Sequence, residues 1–409
     1  MITSVRIENF KTFNKPVELS LLANNRSKRF FTNYNAINHY NVLKSIGIYG
    51  KNNVGKTCVI DAVYAIRNVL LGINTEVFSN IFENNTVSSL GVSFIVDGVG
   101  YDFDFKFDTK TREFIYEKYS CFDTKSNGKK QVLILRDARS NSYDCKDKNF
   151  IPILKMLSNN NILLYTANTS SFPNIEKVKN IFREFARKIY VINMNNIPLT
   201  NTIEIMKKNT EEAQEVAKFL KEADLEIDGF EFKNDALVTP GVPQEQILLL
   251  QQQLDPFKLI TYHKDKAVPF LLFDSTGTKK IAAIASYVIK TIKEGGVLLV
   301  DELDSSLHFK LSRAIVAMFN NMDNEKGQLI FTTHDVSLMD CKTLLRKEQI
   351  WFADKDAEQT YLYSLNDFKA RDGVREDVSN IANSYQNGAF ASLPEPDLVS
   401  CILGANDNE

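Results

Sequence analysis

Residues Gly50-Lys51-Asn52-Asn53-Val54-Gly55-Lys56-Thr57 set two glycines, a lysine and a hydroxyl at the spacing that wraps a polyphosphate. In the pattern G-x-x-x-x-G-K-[ST] the backbone N–H groups cradle phosphate oxygens, the lysine reaches the terminal phosphates and the hydroxyl binds Mg²⁺. Lys56 and Thr57 take those two parts, with Cys58 next in line at the phosphate end of the expected helix. A second segment, Gly296-Val297-Leu298-Leu299-Val300-Asp301-Glu302, is an apolar run that stops at two acids. A buried strand ending there puts Asp301 beside the metal and leaves Glu302 to polarise an attacking water as general base. Ile330-Phe331-Thr332-Thr333-His334-Asp335 is another apolar run, ending in a histidine placed to sense a γ-phosphate. Asp274 to Lys280 opens an apolar helix, with Ser275 as a good N-cap and Gly277 leaving the backbone open, so its first turn is an anion site.

These residues need strands and helices to hold them. Ser45–Tyr49 is apolar enough for a buried strand leading into the loop, and Val59–Leu71 has Ala62, Ile66, Val69 and Leu70 at helical spacing. Tyr101, Phe103, Phe105 and Phe107 alternate with Asp102, Asp104 and Lys106, which predicts a half-buried antiparallel strand. Phe114–Tyr116 and Val132–Leu135 are expected to pair nearby across a turn at 123–130. Residues 150–195 read as helical, ending in a strand over 188–192. Ala213, Val216, Ala217 and Leu220 share one helical face, and Glu245–Leu254 predicts another helix with a glutamine-rich side. The expected organisation is an α/β chain in four parts. Residues 1–195 form an N-terminal lobe with the phosphate loop and a β subdomain, and 196–258 a short helical insert or lid. Residues 259–365 form a C-terminal lobe, and 366–409 a partly ordered polar tail containing Pro394-Glu395-Pro396.

Taken together, the motifs resemble the ABC-type ATPase heads of the SMC, RecF and OLD group. Met1–Phe13 looks like that group's first strand and phosphate-side turn, which makes Lys11 an expected nucleotide contact. Lys56 and Thr57 match its Walker A motif, and Asp301 and Glu302 its Walker B. Ser275, Gly277, Thr278 and Lys279 match the signature, Leu303–His308 the D-loop and His334 the switch histidine. The resemblance is closest to compact heads without long coiled-coil arms, the RloA/AbiL-like and PARIS-type ATPases of prokaryotic anti-phage systems. Four of their strings occur here: Ser275–Lys280, Asp301–His308, Phe331–Asp335 and Gln349–Phe352. The signature carries one glycine where many relatives have two, which shifts weight to Ser275 and Lys279. The Q-loop residue has two weak candidates, Gln131 and Asn168.

The resemblance implies ATP and Mg²⁺ as ligands and a homo-oligomer of at least two heads, in which the signature of one chain caps the nucleotide of the other and Asp304 helps set the interface. It also implies a separately encoded effector, most simply a nuclease, and a phage-encoded trigger protein. The alternative is a RecF-like repair ATPase that binds duplex DNA. No Asn-Lys-x-Asp element for guanine stands in a sensible place, which favours adenine. With 409 residues, 44% of them hydrophobic, and a net charge of −2, the chain can bury a large core and shows no excess of positive charge for DNA or anionic membranes. Its five scattered cysteines suit a reducing compartment. No signal-like segment opens the chain and no apolar run approaches membrane-spanning length, so a cytoplasmic protein is expected.

Overall fold

The computed structural model describes residues 1–24, 29–73, 76–125, 130–166, 171–223, 226–233, 253–264, 266–356, 359–369, 380–390 and 393. Two sheets carry the α/β fold. One is antiparallel and seven-stranded: β1 (Ile2–Glu8), β2 (Val17–Ser20), β6 (Val87–Val96), β7 (Val99–Asp108), β8 (Glu113–Asp123), β9 (Gln131–Asp137) and β10 (Ser142–Cys145), in the spatial order β10-β9-β8-β7-β6-β1-β2. The other is mixed: β5 (Ser45–Tyr49), β11 (Ile189–Asn193), β15 (Gly296–Asp301), β16 (Gly327–Thr332), β17 (Ile350–Lys355) and β18 (Thr360–Ser364), in the order β11-β15-β16-β5-β17-β18. Its first five strands run parallel and β18 closes the edge antiparallel. A hairpin of β3 (Tyr34–Ile37) and β4 (Tyr40–Leu43) and a small sheet of β12 (Gly229–Phe232), β13 (Leu259–His263) and β14 (Lys266–Pro269) complete the strands.

The apolar runs read from the sequence become the inner parallel strands because both faces of this sheet are covered. Helix α1 (Lys56–Leu71) lies between the two sheets. Its Val59, Val63, Ile66 and Leu70 share one core with Val5, Leu90 and Phe103 on one side and with Leu299 and Ile330 on the other. Helices α2 (Ile151–Met156), α3 (Leu163–Thr166) and α4 (Pro173–Arg187) extend that core, and Phe182 of α4 sets its ring edge-on to Phe94, Tyr101 and Tyr119. In β7, Phe103 and Phe105 are buried as the alternation requires. Asp102 is buried as well, accepting from Ser93 Oγ at 2.5 Å and pairing with Lys130 at 3.0 Å. The strand pairing of β8 with β9 is present, with Tyr119 opposite Ile134.

The segment 196–258 is not purely helical. Helices α5 (Thr200–Lys208) and α6 (Glu211–Glu222) are followed by β12, which pairs with β13 across the expected boundary at 258. Their apolar faces close on the short α7 (Phe270–Phe273) and on α8 (Thr276–Glu294), where Ala282, Ala285 and Ile289 meet Ile203, Met206, Val216 and Leu220. The insert is therefore built onto the helix that Ser275 caps. The expected helix at 245–254 lies mostly outside the described residues, and Asn168, Pro394-Glu395-Pro396 and residues 126–129 of the 123–130 turn lie outside them as well. Helix α9 (Phe309–Phe319) covers the mixed sheet beside α8. In the C-terminal region, α10 (Ile381–Gln386) is well packed: Tyr385 and Phe390 stack on Phe352 of β17 at 5.6 and 5.7 Å. Trp351, the one tryptophan of the chain, is buried in β17 opposite Ile48 of β5.

Gln328 stitches the two sheets. Its carboxamide, fully buried, accepts from Ile2 N–H at 2.8 Å and donates to the carbonyls of Ile2 and Leu43 at 2.9 and 2.8 Å. Leucine has the bulk but none of these bonds. A Gln328→Leu variant strands three buried backbone groups, and urea titration should show unfolding stability reduced by about 3 kcal/mol or more, at roughly 1–3 kcal/mol per stranded group.

Candidate functional site

Four parallel strands end side by side and deliver their next residues to one edge of the mixed sheet, where ligands of parallel α/β sheets are held. β5 runs into the phosphate loop, β15 ends at Asp301, β16 ends at Thr332, and β11 ends at Asn193, opposite Asp301. The loop is shaped by its glycines. Gly50 has φ +148°, and a Cβ there would stand 2.2 Å from the Ala353 carbonyl oxygen. Gly55 has φ +100°, and a Cβ would meet Thr12 Oγ1 at 2.5 Å. Asn52 and Asn53 are exposed and Val54 is buried beneath them. Cys58, half-buried, donates its N–H to the Gly55 carbonyl at 3.1 Å.

Lys56 is buried, and its ammonium donates to the carbonyls of Gly50 and Lys51 at 2.7 and 2.9 Å and approaches His334 Nε2 at 3.1 Å. Burial brings its pKa down to about 8, against the pull of the carboxylates of Asp301, Glu302 and Asp304. Burial and the Lys56 charge also lower the pKa of His334, opposed by Asp304 and Glu302. A neutral imidazole accepting at Nε2 satisfies both groups. The histidine's backbone is fixed too: Asp304 Oδ1 accepts from Thr333 Oγ1 at 2.7 Å and from His334 N–H at 3.2 Å.

Thr57 Oγ1 donates to the Asp301 carboxylate at 3.1 and 3.2 Å. A hydroxyl and a carboxylate in contact are hard oxygen donors of the kind that hold Mg²⁺ together with nucleotide phosphates. These two residues fit that ion. Asp301 is oriented by two groups that the sequence did not single out, Thr332 Oγ1 at 2.7 Å and Asn193 Nδ2 at 2.9 Å. Glu302 takes φ +57°, a left-handed conformation uncommon for a residue with a side chain, and its N–H donates to Thr332 Oγ1 at 2.8 Å. That turn swings its carboxylate toward Asn195, whose Nδ2 donates to Oε2 at 2.6 Å. Asn193 ends β11 and Asn195 follows it by two residues, and asparagines at the end of an apolar strand are the only sequence signal for either.

Lys56, Thr57, Asp301, Glu302, Asp304 and His334 thus converge. The Lys11 ammonium pairs with Asp61 of α1 at 2.6 Å, five residues along the helix from Lys56. Gln131 begins β9, near the far edge of the antiparallel sheet. Ser275 caps α8, its Oγ accepting from Thr278 N–H at 3.1 Å, and Lys279 N–H donates to the Ser275 carbonyl at 3.0 Å. Among the described residues, Ser275, Gly277, Thr278 and Lys279 make no hydrogen bond to the phosphate loop of their own chain.

Residues 45–340 match the family described as "AAA domain, putative AbiEii toxin, Type IV TA system". The chain belongs to this AAA family. Among solved structures, it is similar to the SMC head domain from Thermotoga maritima, with 12% identity and a TM-score of 0.42 over 89% of this chain and 98% of that one. It is also similar to an Smc head bound to the C-winged helix domain of ScpA, with 14% identity and a TM-score of 0.42 over 89% and 97% of the two chains. No curated protein matches. No helix of this AAA protein, among the described residues, is long and apolar enough to cross a membrane.

The buried ammonium gives a test of the site as built. The unfolded chain keeps the Lys56 proton up to 10.5, whereas the folded chain gives it up near 8. Between these values the unfolded state binds more protons, so the burial penalty is full below pH 8 and is relieved as pH rises. Without nucleotide and Mg²⁺, Lys56→Met should be about 2 kcal/mol more stable than wild type at pH 7, and denaturant titrations at rising pH should show the gain shrinking above pH 8.

Proposed function

We propose that this AAA protein binds and hydrolyses ATP, and that its heads assemble in pairs around the nucleotide. The observation that carries the reading is the contact of Thr57, Asp301, Lys56 and His334 at the ends of adjacent parallel strands, with Glu302 held beside them by Asn195. Lys56 and the phosphate-loop N–H groups bind the β- and γ-phosphates. Thr57 and Asp301 hold Mg²⁺, which neutralises charge on the phosphate oxygens. Glu302 takes a proton from the attacking water as the bond from the γ-phosphorus to its bridging oxygen breaks, giving ADP and phosphate. Neutral His334 donates toward the γ-phosphate once Lys56 has turned to it. The signature residues Ser275, Gly277, Thr278 and Lys279, which among the described residues make no hydrogen bond to their own loop, serve the phosphates of a second copy, so ATP holds two heads together and hydrolysis lets them part.

The biological setting is a regulatory scaffold of an anti-phage, abortive-infection type in which nucleotide-dependent assembly holds or releases a separately encoded effector, most simply a nuclease, when a phage product is sensed. The toxin–antitoxin wording of the family description supports this, as do the four strings that resemble RloA/AbiL-like and PARIS-type ATPases. Residues 196–258, the insert, carry twelve Asp and Glu against six Lys. That balance favours a protein partner over duplex DNA, whose binding rests on phosphate neutralisation.

In light scattering, Glu302→Gln should double in mass with Mg-ATP and hydrolyse about a hundredfold or more slowly, the scale of losing a positioned general base. A monomer turning over at the wild-type rate overturns the reading. Ser275→Arg should bind ATP as wild type does in a filter assay, yet show neither dimer nor hydrolysis. Turnover unchanged by that bulky cation would place the signature outside the site.

A further inference from the structure

Lys280, one turn into α8, is 8% exposed, and its ammonium reaches the turn after the Walker B acids. It donates to the Ser305 carbonyl at 3.3 Å, to Ser305 Oγ at 3.2 Å and to Ser306 Oγ at 3.0 Å. All three protons are used, and all on neutral acceptors. Ser305 Oγ passes its own proton to Asn195 Oδ1 at 2.6 Å, and Asn195 Nδ2 donates to Glu302 Oε2 at 2.6 Å. The bonds run in one sense, from ammonium through hydroxyl and carboxamide to carboxylate, so each polarises the next. The same turn touches the signature directly: a Cβ on Gly277 would stand 3.1 Å from the Ser306 carbonyl oxygen, and Ser306 is held at φ +62°. Lys279, the neighbouring lysine, is only half-buried and takes no part.

We infer that Lys280 is a positioning residue that ties the signature turn a chain offers to its partner to the general base in that chain's own phosphate site. The inference rests on the paired-head reading above. In such a pair the first turn of α8 meets the partner's γ-phosphate, while Glu302 of the same chain faces its own nucleotide. A shift of α8 as the partner's phosphate docks is carried by Lys280 to Ser305, by Ser305 to Asn195, and so to the orientation of Glu302. Occupancy of one site thereby sets the competence of the other, and the two turn over cooperatively. Burial explains why the link is a lysine with a fixed seat: an ammonium with no room for water cannot leave its three oxygens without cost.

The test is steady-state ATPase of the full chain, with Lys280→Met, Lys280→Arg and Ser305→Ala beside wild type. Wild type should show a Hill coefficient near two, the number of coupled sites in a pair. Lys280→Met should lower kcat about tenfold, as expected when a hydrogen-bonded charge that orients the base is lost, leave KM unchanged and bring the Hill coefficient toward one. Lys280→Arg should recover most of both. Ser305→Ala keeps the buried charge and cuts the chain at its second link, so it should reproduce the loss of cooperativity; it also decides the matter if Lys280→Met fails to fold. Wild-type kcat and Hill coefficient in Ser305→Ala, or in folded Lys280→Met, overturn the inference while leaving the paired-head reading intact. A wild-type protein that hydrolyses without cooperativity and whose Glu302→Gln form stays monomeric with Mg-ATP removes that reading, and the inference with it.

Discussion

Lys56 is the buried cation around which the site is arranged. A lysine this enclosed is held by two carbonyls of its own loop and by the field of three carboxylates from the far side, Asp301, Glu302 and Asp304. Those carboxylates stand there because β15 ends at Asp301 and lies one strand away from β5, with β16 between the two in parallel register. The acids must in turn be kept apart and turned correctly, and short polar side chains do this work: Thr332 between Asp301 and the Glu302 backbone, Asn193 on Asp301, Asn195 on Glu302, Thr333 on Asp304. The sheet fixes where the charges are, and the threonines and asparagines fix which way they point.

The parts of this arrangement that were legible in the sequence are those whose chemistry demands a pattern over consecutive residues. The loop glycines, the apolar runs into Asp301 and toward His334, and the capped turn at Ser275 each follow from a local rule, and each falls on the expected element. Asn193 and Asn195 follow no local rule. They matter because β11 pairs with β15, a contact between residues about a hundred positions apart, and a carboxamide after a strand is otherwise unremarkable in sequence. Lys279 and Lys280 are equivalent on paper, and only the direction of the helix face separates the one bonded to Ser305 and Ser306 from its half-exposed neighbour.

The same limit applies to the fold. Alternation found β7, because a half-buried strand advertises its period, but it could not foresee that Asp102 would be buried and paired, or that Glu117 and Arg136 would form an enclosed ion pair at 2.5 Å between β8 and β9. Gln328 reads as one polar residue at the head of an apolar strand, yet it closes the seam between the two sheets. The insert reads as helical in sequence because α5 and α6 dominate its periodicity. β12 has only four residues, and its partner β13 begins 27 positions after β12 ends.

Trp351 gives the molecule a property unrelated to catalysis. The indole sits in β17, hydrogen-bonded to the Glu348 carbonyl at 3.0 Å, beside the strand that ends in the phosphate loop and two residues before Ala353, whose carbonyl abuts Gly50. With no second indole to dilute the signal, the tryptophan fluorescence of the whole chain, excited at wavelengths that its fifteen tyrosines do not absorb, comes from one chromophore packed against the nucleotide-binding strand. The protein is in effect labelled at its own loop, and its emission is an optical channel open in unmodified material.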